Sequence, residues 1–172
     1  MLVKGARIQC DRDGQSKAVE DLAVGDRIFD PVLNSRIAIV DILSRTIRFT
    51  EGDRSLHAAL WPLRVGPSAL GPNMPQDVVH VSPGQTVFSA AGKESPNTLE
   101  QCSALELAEQ SFDVQTCVMH EVEYIALFTE LPQIMNVNGL LLQSYSYVAL
   151  YVSDAQCNLL RQRGGHSPWG TL

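Results

Sequence analysis

The chain has 172 residues, which is long enough to bury one substantial hydrophobic core, so a single main domain is expected. Hydrophobic residues make up 45% of the sequence and charged residues 19%, as in soluble globular proteins. With 13 Lys and Arg against 19 Asp and Glu, the net charge of −6 argues against a nucleic-acid binder. No Lys/Arg-rich run suits an anionic membrane surface either.

No targeting or membrane-spanning segment is visible in the sequence. Residues 1–5 lack the apolar core of a signal peptide, and the longest apolar stretches are broken well short of a membrane span. Four cysteines lack CxxC pairing and zinc-ligand spacing, so we expect reduced, buried thiols at Cys10, Cys102, Cys117 and Cys157. These features predict a cytoplasmic protein without a metal or another cofactor.

The first part of the chain alternates short apolar stretches with turn signals. Residues 5–10 predict a strand, and the Asp-Gly pair at 13–14 predicts a hairpin turn after it. Arg27–Pro31 predicts another strand. The alternation over Arg36–Phe49 predicts one long strand or two strands in a hairpin.

The middle of the chain contains two β-branched runs separated by a turn. Before them, Leu60–Val65 predicts a strand at a sheet edge or with a bulge, because Pro62 removes a backbone donor. Gly66–Gln76 is rich in Pro and Gly and predicts an ordered loop. Val78–Phe88 then predicts two strands around a Ser-Pro-Gly-Gln turn, whose side chains the strands would hold in place for site chemistry.

The second half predicts one helix among further strands. Thr98 followed by Gln101 has the spacing of a helix start, and apolar residues continue at helical spacing through Ala108. Further strands are predicted within Phe112–Met119, Glu121–Phe128 and Ile134–Leu140. Many short strands with one short helix predict an all-β chain.

Several sequence blocks occur in an order that a known family shares. The first are Gly5-Ala6-Arg7-Ile8, an acidic Gly turn, Val19-Glu20-Asp21-Leu22 and Val24-Gly25-Asp26-Arg27-Ile28. The later ones are Pro62–Val65, Ala69–Gly71, Val79–Pro83, Asn138–Leu140 and Gln143–Tyr145. Together these blocks, from Met1 to about Ser146, resemble the Hint (hedgehog/intein) domain family, and its bacterial members in particular.

The resemblance implies a compact, curved, disulfide-free β fold with pseudo-twofold halves over residues 1–152, followed by a C-terminal tail at 153–172. Members of the family cleave their own backbone. An N-terminal Cys, Ser or Thr attacks the preceding carbonyl, and a His in a T/S-x-x-H turn supports this acyl shift. The chemistry needs a nucleophile, a proton carrier and oxyanion donors close together.

At the family's reactive positions this sequence departs from the pattern. The nucleophile position is Met1, whose thioether has no proton to lose, and the histidine of the turn is replaced by Gln85, which cannot shuttle protons. Two later family histidines fall near Ala126 and Pro132. The candidate catalytic positions are therefore Met1, Ser82, Gln85 and His80.

Other titratable or nucleophilic residues have simpler interpretations. His80 lies two residues before the turn serine and is the remaining candidate proton carrier, although a half-exposed strand histidine is the preferred interpretation. His120 with Glu121 and Glu123 fits a charged strand edge better than a base–carboxylate pair or a metal site. Cys10 lies in a predicted strand and is interpreted as core packing rather than as a displaced nucleophile.

Three functions remain open from the sequence. The favoured one is a catalytically inactive Hint-fold module that binds a protein partner or has a structural role, using exposed apolar residues near Leu140–Leu142 and Trp169. The second is an active self-processing domain whose nucleophile at Met1 was replaced or lies upstream. The third is a metal-dependent hydrolase that uses His80 and His120.

Overall fold

The computed structural model describes residues 1–49, 60–90 and 99–147. Within these ranges, the strands of the first half are β1 (Leu2–Val3), β2 (Arg7–Gln9), β3 (Ser16–Ala18), β4 (Arg27–Asp30), β5 (Ser35–Ala38), β6 (Asp41–Arg48), β7 (Leu63–Val65), β8 (Val79–Val81) and β9 (Thr86–Ala90). The later elements are β10 (Leu99–Ser103), helix α1 (Ala104–Gln110), β11 (Val114–Thr116), β12 (Glu121–Thr129), β13 (Ile134–Val137), β14 (Leu140–Gln143) and β15 (Tyr145–Ser146). A 3-10 turn spans Val19–Asp21. The prediction of an all-β chain with one short helix is confirmed.

Two large sheets carry the fold. The first has seven strands in the order β11-β7-β8-β1-β12-β15, with β6 also paired to β12. The second has six strands in the order β10-β9-β14-β13-β2-β3, and β4 and β5 form a separate two-stranded sheet. The β12–β15 pair is parallel, while the long β12–β6 pair and the central β14–β9 pair are antiparallel.

The main hydrophobic core draws on both large sheets. Strands of both sheets contribute fully buried aliphatic side chains, among them Leu2, Val81, Leu127, Ile8, Val87 and Leu142. Alternation of apolar and polar residues places these side chains on the inner faces of their strands. A smaller cluster forms on the other side of the first sheet around Val3, Val122 and Tyr124.

The chain crosses between the two large sheets at three places, and these crossings lie close together near Met1. β1 and β8 are neighbours in the first sheet, and the chain runs on from them to β2 and β9 of the second. In the other direction, β14 of the second sheet leads to β15 of the first. The Ser82 N–H donates to the Met1 carbonyl at 2.8 Å, and the Gln85 side chain donates to the Gln143 carbonyl, also at 2.8 Å. The crossings are thereby held together at one place.

Several strands confirm the sequence pattern, and others correct it. The hairpin of β2 and β3 and the strands β4 and β12 lie where they were predicted. Arg36–Phe49 holds two strands, but they do not pair with each other, because β5 pairs with β4 and β6 with β12. The predicted edge position near Pro62 is wrong. The strand begins after the proline and has neighbours on both sides, β8 and β11.

Helix α1 begins later than the sequence pattern indicates. Leu99–Ser103 forms strand β10, which pairs residue by residue with β9, so the predicted helix start over Thr98–Gln101 is wrong. Thr98 lies outside the described residues. Ser103 and Glu106 form the capping box instead, with Ser103 Oγ accepting from the Glu106 N–H. Residues 98–106 contain two similar capping signals. The first overlaps strand β10, which pairs with β9, so the helix begins at the second.

Two predictions about exposure also need correction. Cys10, Cys102 and Cys117 are free thiols but only half-buried rather than buried, while Cys157 lies outside the described residues. Leu140 and Leu142 cannot form a binding surface, because both are fully buried on the inner face of β14.

The described chain contains no helix with the length and apolar character needed to cross a bilayer.

Candidate functional site

The turn between β8 and β9 is fixed from two directions. Its ends are joined by a hydrogen bond of 3.0 Å from the Gln85 N–H to the Ser82 carbonyl. The first N–H groups of helix α1, those of Ala104 and Leu105, donate to the carbonyls of Gln85 and Pro83 at 2.9 and 3.0 Å. These bonds satisfy donors that a helix start leaves free, and they hold the turn against the helix.

The backbone nitrogen of Met1 lies among three side-chain oxygen atoms. Ser82 Oγ, Gln85 Oε1 and the Tyr145 hydroxyl are each 2.7 Å from it and accept hydrogen bonds. The three acceptors come from residues 81, 84 and 144 positions away in the chain. Folding therefore brings together three of the four candidate positions, Met1, Ser82 and Gln85, and adds a tyrosine.

The side chain of Gln85 uses both ends of its carboxamide. Its Oε1 accepts from Met1, and its Nε2 donates to the Thr86 carbonyl at 3.0 Å and to the Gln143 carbonyl at 2.8 Å. The residue is only 1% exposed, so each of these polar atoms needs its partner. Gln85 thus connects the start of β1 with strands β9 and β14.

Sequence reasoning did not identify Tyr145 as a site residue. Its hydroxyl reaches Met1, and its ring packs at 5.5 Å from the ring of Phe128. Burial raises the pKa of Tyr145, and a hydrogen bond with Ser82 partly opposes this effect. The phenol is therefore neutral at pH 7. The Gln-Ser-Tyr block at 143–145 resembles a family motif, but its sequence alone does not indicate that the tyrosine hydroxyl reaches the Met1 nitrogen.

A cavity lies beside two of the residues that contact the Met1 nitrogen. Its volume is about 240 Å³. Gln85, Gln143 and Tyr145 line it together with Thr86, Pro132, Ser144 and Ser146. Two of these residues, Gln85 and Tyr145, also contact the Met1 nitrogen, although Met1 itself is not among the lining residues.

A family model for the Hint domain matches residues 1–149. The chain belongs to the Hint domain family. Two crystal structures of the MchDnaB-1 intein are similar to it, each with a TM-score of 0.48 and with 10% and 9% sequence identity. The similarity covers 84% and 85% of this chain and 100% and 99% of the intein chains. A comparison with curated proteins gives no match.

The side chain of His80 has different neighbours from those of Met1, Ser82 and Gln85. It lies directly across from Arg64 in the pairing of β8 with β7. Burial lowers the pKa of His80, and the charge of Arg64 lowers it further. Among the described residues, no hydrogen bond joins this imidazole to Met1, Ser82 or Gln85. Its role as a proton carrier stays a prediction.

The acidic residues near His120 belong to strand pairing in the Hint fold. Glu121 forms an ion pair with Arg48, and Glu123 lies 3.2 Å from the Lys4 ammonium group and accepts from Ser44 Oγ at 2.9 Å. The charged-edge interpretation is wrong for Glu123, because β1 lies on one side of it and β6 on the other, while Glu121 pairs with β6 alone among the described strands. Cross-strand attraction accounts for the carboxylates instead.

The remaining candidates do not converge on a second centre. Cys10 Sγ donates to the Ile8 carbonyl at 3.4 Å, and burial raises the pKa of this thiol, which makes it a weaker nucleophile. Over residues 1–49, 60–90 and 99–147, no group of three or more His, Cys, Asp or Glu side chains is arranged to hold a metal ion. The hydrolase hypothesis built on His80 and His120 therefore has no ligand cluster in these ranges.

Burial of the α-amino group predicts a pH-dependent stability for protein whose free N-terminus is Met1. Burial lowers the pKa of this amine from 8.0 to about 5. Between these values the unfolded chain binds a proton that the folded chain does not, so stability falls as the pH falls from 8 to 5. The loss is at most about 4 kcal/mol, because the three acceptors favour the ammonium form and offset part of it.

Urea unfolding at several pH values, with and without Nα-acetylation, measures this contribution. Acetylation removes the titrating amine, so the acetylated protein should lose less stability between pH 8 and pH 5. Titration of His80 is common to both samples and cancels in the comparison. Identical pH slopes for the two samples would contradict the prediction.

Proposed function

We propose that this chain is a Hint-fold module that has lost self-cleavage and serves as a binding or structural domain. The observation that carries the proposal is the chemistry at the Met1 nitrogen. The side chain of Met1 is a thioether, which cannot attack a carbonyl and then form a stable ester or thioester. One of the three groups 2.7 Å from its nitrogen is the carboxamide of Gln85, which neither takes up nor releases a proton near neutral pH.

The hydrogen bonds of Gln85 support a structural role at this position. In a cleaving site, the group beside this nitrogen has to change its protonation state while the backbone bond breaks. Gln85 instead keeps two donors on the carbonyls of Thr86 and Gln143, which join β9 to β14. A group held in this way stabilises the crossing of the sheets.

Among the described residues, no imidazole or carboxylate side chain forms a hydrogen bond with the hydroxyls that remain. Ser82 Oγ accepts from the Met1 nitrogen, and the neutral Tyr145 phenol does the same. A serine needs an adjacent base to become a nucleophile. His80, the nearest candidate in sequence, has no described hydrogen bond to Ser82. We infer a protein partner rather than a nucleic acid for this acidic chain, whose net charge is −6.

The proposal predicts that a test peptide fused directly before Met1 stays attached. The fusion is incubated with dithiothreitol or hydroxylamine, which cleave thioester and ester intermediates, and is followed by intact-mass measurement. A single mass for the uncleaved fusion is expected under both conditions. Release of the test peptide would overturn the loss of self-cleavage.

A second candidate function is an active self-processing domain that acts on a segment before Met1. The observation that favours it is the cavity of about 240 Å³ lined by Gln85 and Tyr145, because both residues contact the Met1 nitrogen and an upstream residue would need space near it. On this hypothesis a reactive Cys or Ser lies upstream of Met1 or stood in its place. The test is the same mass measurement on protein that carries its natural upstream residues, and a thiol-released or hydroxylamine-released fragment would support it.

A further inference from the structure

Strand β6 is a long edge strand of the seven-stranded sheet. All eight of its residues pair with β12, from Asp41 opposite Phe128 to Arg48 opposite Glu121. No other described strand pairs with β6. Such an edge presents backbone donors and acceptors that can pair with another strand.

The hydrogen-bond pattern shows which backbone groups face outward. The Phe49 N–H donates to the His120 carbonyl at 2.9 Å, and pairs in an antiparallel ladder alternate between hydrogen-bonded and non-hydrogen-bonded. The odd-numbered residues of β6 therefore direct their N–H and C=O groups at β12. Ile42, Ser44, Thr46 and Arg48 direct theirs away from the sheet.

In one register, the charged side chains on this edge would lie opposite side chains of the opposite charge on a second copy of the chain. Asp41, Leu43 and Arg45 follow one another on the same face of β6, because side chains alternate along a strand. Leu43 is 51% exposed, and Arg45 is exposed and forms no salt bridge among the described residues. An antiparallel copy centred on Leu43 would place Asp41 opposite Arg45 twice, once on each side of the two-fold axis.

The same register also suits the outward backbone groups. It places Ile42 opposite Ser44 of the second copy, and both residues direct their N–H and C=O groups outward. In the free chain the Ile42 N–H donates to the carboxylate of its neighbour Asp41 at 2.8 Å. Pairing would transfer this N–H to a Ser44 carbonyl and free Asp41 for the arginine.

We propose that β6 binds a second copy of this chain, strand to strand and antiparallel, with Leu43 on the two-fold axis. Registers centred on Arg45 are disfavoured because they place two guanidinium groups directly opposite each other. Two Asp41–Arg45 ion pairs and one covered Leu43 pair define the isologous contact. The proposal specifies a partner for the binding function proposed above, but its test is independent of cleavage.

Light scattering after size exclusion, over a concentration series of the full chain, tests the proposal. The contact is small, so a weak dimer is expected, with a dissociation constant on the order of 10–100 µM. The mass should rise from 18.9 kDa towards twice that value with concentration. A mass that stays at 18.9 kDa up to about 500 µM would overturn the proposal, since a 100 µM dimer would be well populated there.

Charge-reversal substitutions distinguish this strand contact from any other way in which the chain could dimerise. Asp41→Arg or Arg45→Asp alone should weaken the dimer at least tenfold, because each change replaces two attractions with two repulsions. Mixing the two variants should restore a heterodimer, in which each Arg again faces an Asp. Ser44→Pro, which removes an outward N–H and leaves the β12 ladder intact, should also abolish association.

Folding of each variant is checked by its circular dichroism spectrum and thermal transition. A dimer that survives both single reversals, or a mixture that stays monomeric while both variants are folded, would contradict the register. Because no cleavage is measured, these outcomes are distinguishable from a failure of the inactive-domain proposal.

Discussion

Replacing Met1 with cysteine and Gln85 with histidine should restore thiol-dependent cleavage in a protein fused behind a test peptide. The position of Gln85 explains why one substitution at each residue is expected to suffice. Its side chain lies 2.7 Å from the Met1 nitrogen, which is the atom that must gain a proton when the preceding peptide bond breaks. Gln85→His would place a proton donor at this atom, and Met1→Cys would supply the attacking thiol.

In the restored reaction the thiol gives its proton to the imidazole, its sulfur bonds to the carbonyl carbon of the preceding residue, and the carbon–nitrogen bond breaks. The nitrogen takes a proton from the imidazole, and dithiothreitol then releases the test peptide from the thioester. We expect peptide release to rise from an undetectable level to one that intact-mass measurement readily detects. The matched controls are the two single substitutions, since each lacks one required group.

Two outcomes would contradict this expectation. If the folded double variant released no peptide, Gln85 would not mark the position of the proton donor, or Ala126 and Pro132 would matter more than it does. If Gln85→His alone released the peptide, a nucleophile other than residue 1 would be present. A thermal unfolding transition for each variant shows whether the site remained folded.

Gln85→Leu should destabilise the protein by about 3 kcal/mol, since three partly buried groups would each lose their hydrogen bond to Gln85 at once. The partners are the Met1 nitrogen and the carbonyls of Thr86 and Gln143. Leucine has a similar volume but no polar atom, so the loss reflects unpaired polar groups rather than a cavity. Urea unfolding at pH 7, with the slope held in common, measures the difference.

Gln101→Leu is the matched control for this substitution. Gln101 is exposed in β10, which pairs with the same strand β9, and none of the described hydrogen bonds involves its side chain. Its replacement should change the free energy of unfolding by no more than about 0.5 kcal/mol. Equal effects at the two positions would show that the hydrogen bonds of Gln85 contribute little to stability.

Local sequence patterns identified most of the strands but not their partners. The alternation that predicts β4 or β12 depends on residues two positions apart, so it can be read without knowledge of the fold. The alternation over Arg36–Phe49 predicts one long strand or a hairpin, yet Asp41–Arg48 pairs with β12 about eighty residues later in the chain. The burial of apolar faces against distant strands chose that partner.

The residues of the site also divide into those that the sequence identified and those whose roles depend on the tertiary structure. Family resemblance singled out Met1, Ser82 and Gln85, and the structure places all three at one crossing of the sheets. It did not assign a role to Tyr145, because a tyrosine in an apolar stretch is usually explained by packing. His80 was singled out by its position in the strand, but its place opposite Arg64 depends on the register with β7.

The sequence by itself determined which chemical groups are available: a thioether at residue 1 and a carboxamide at residue 85. These are properties of the side chains, and no fold can change them into a nucleophile and a proton carrier. Only the tertiary structure decided that three oxygen atoms from distant parts of the chain surround the Met1 nitrogen. That meeting depends on the order in which β1, β8 and β14 pack, which is set by long-range burial rather than by local pattern.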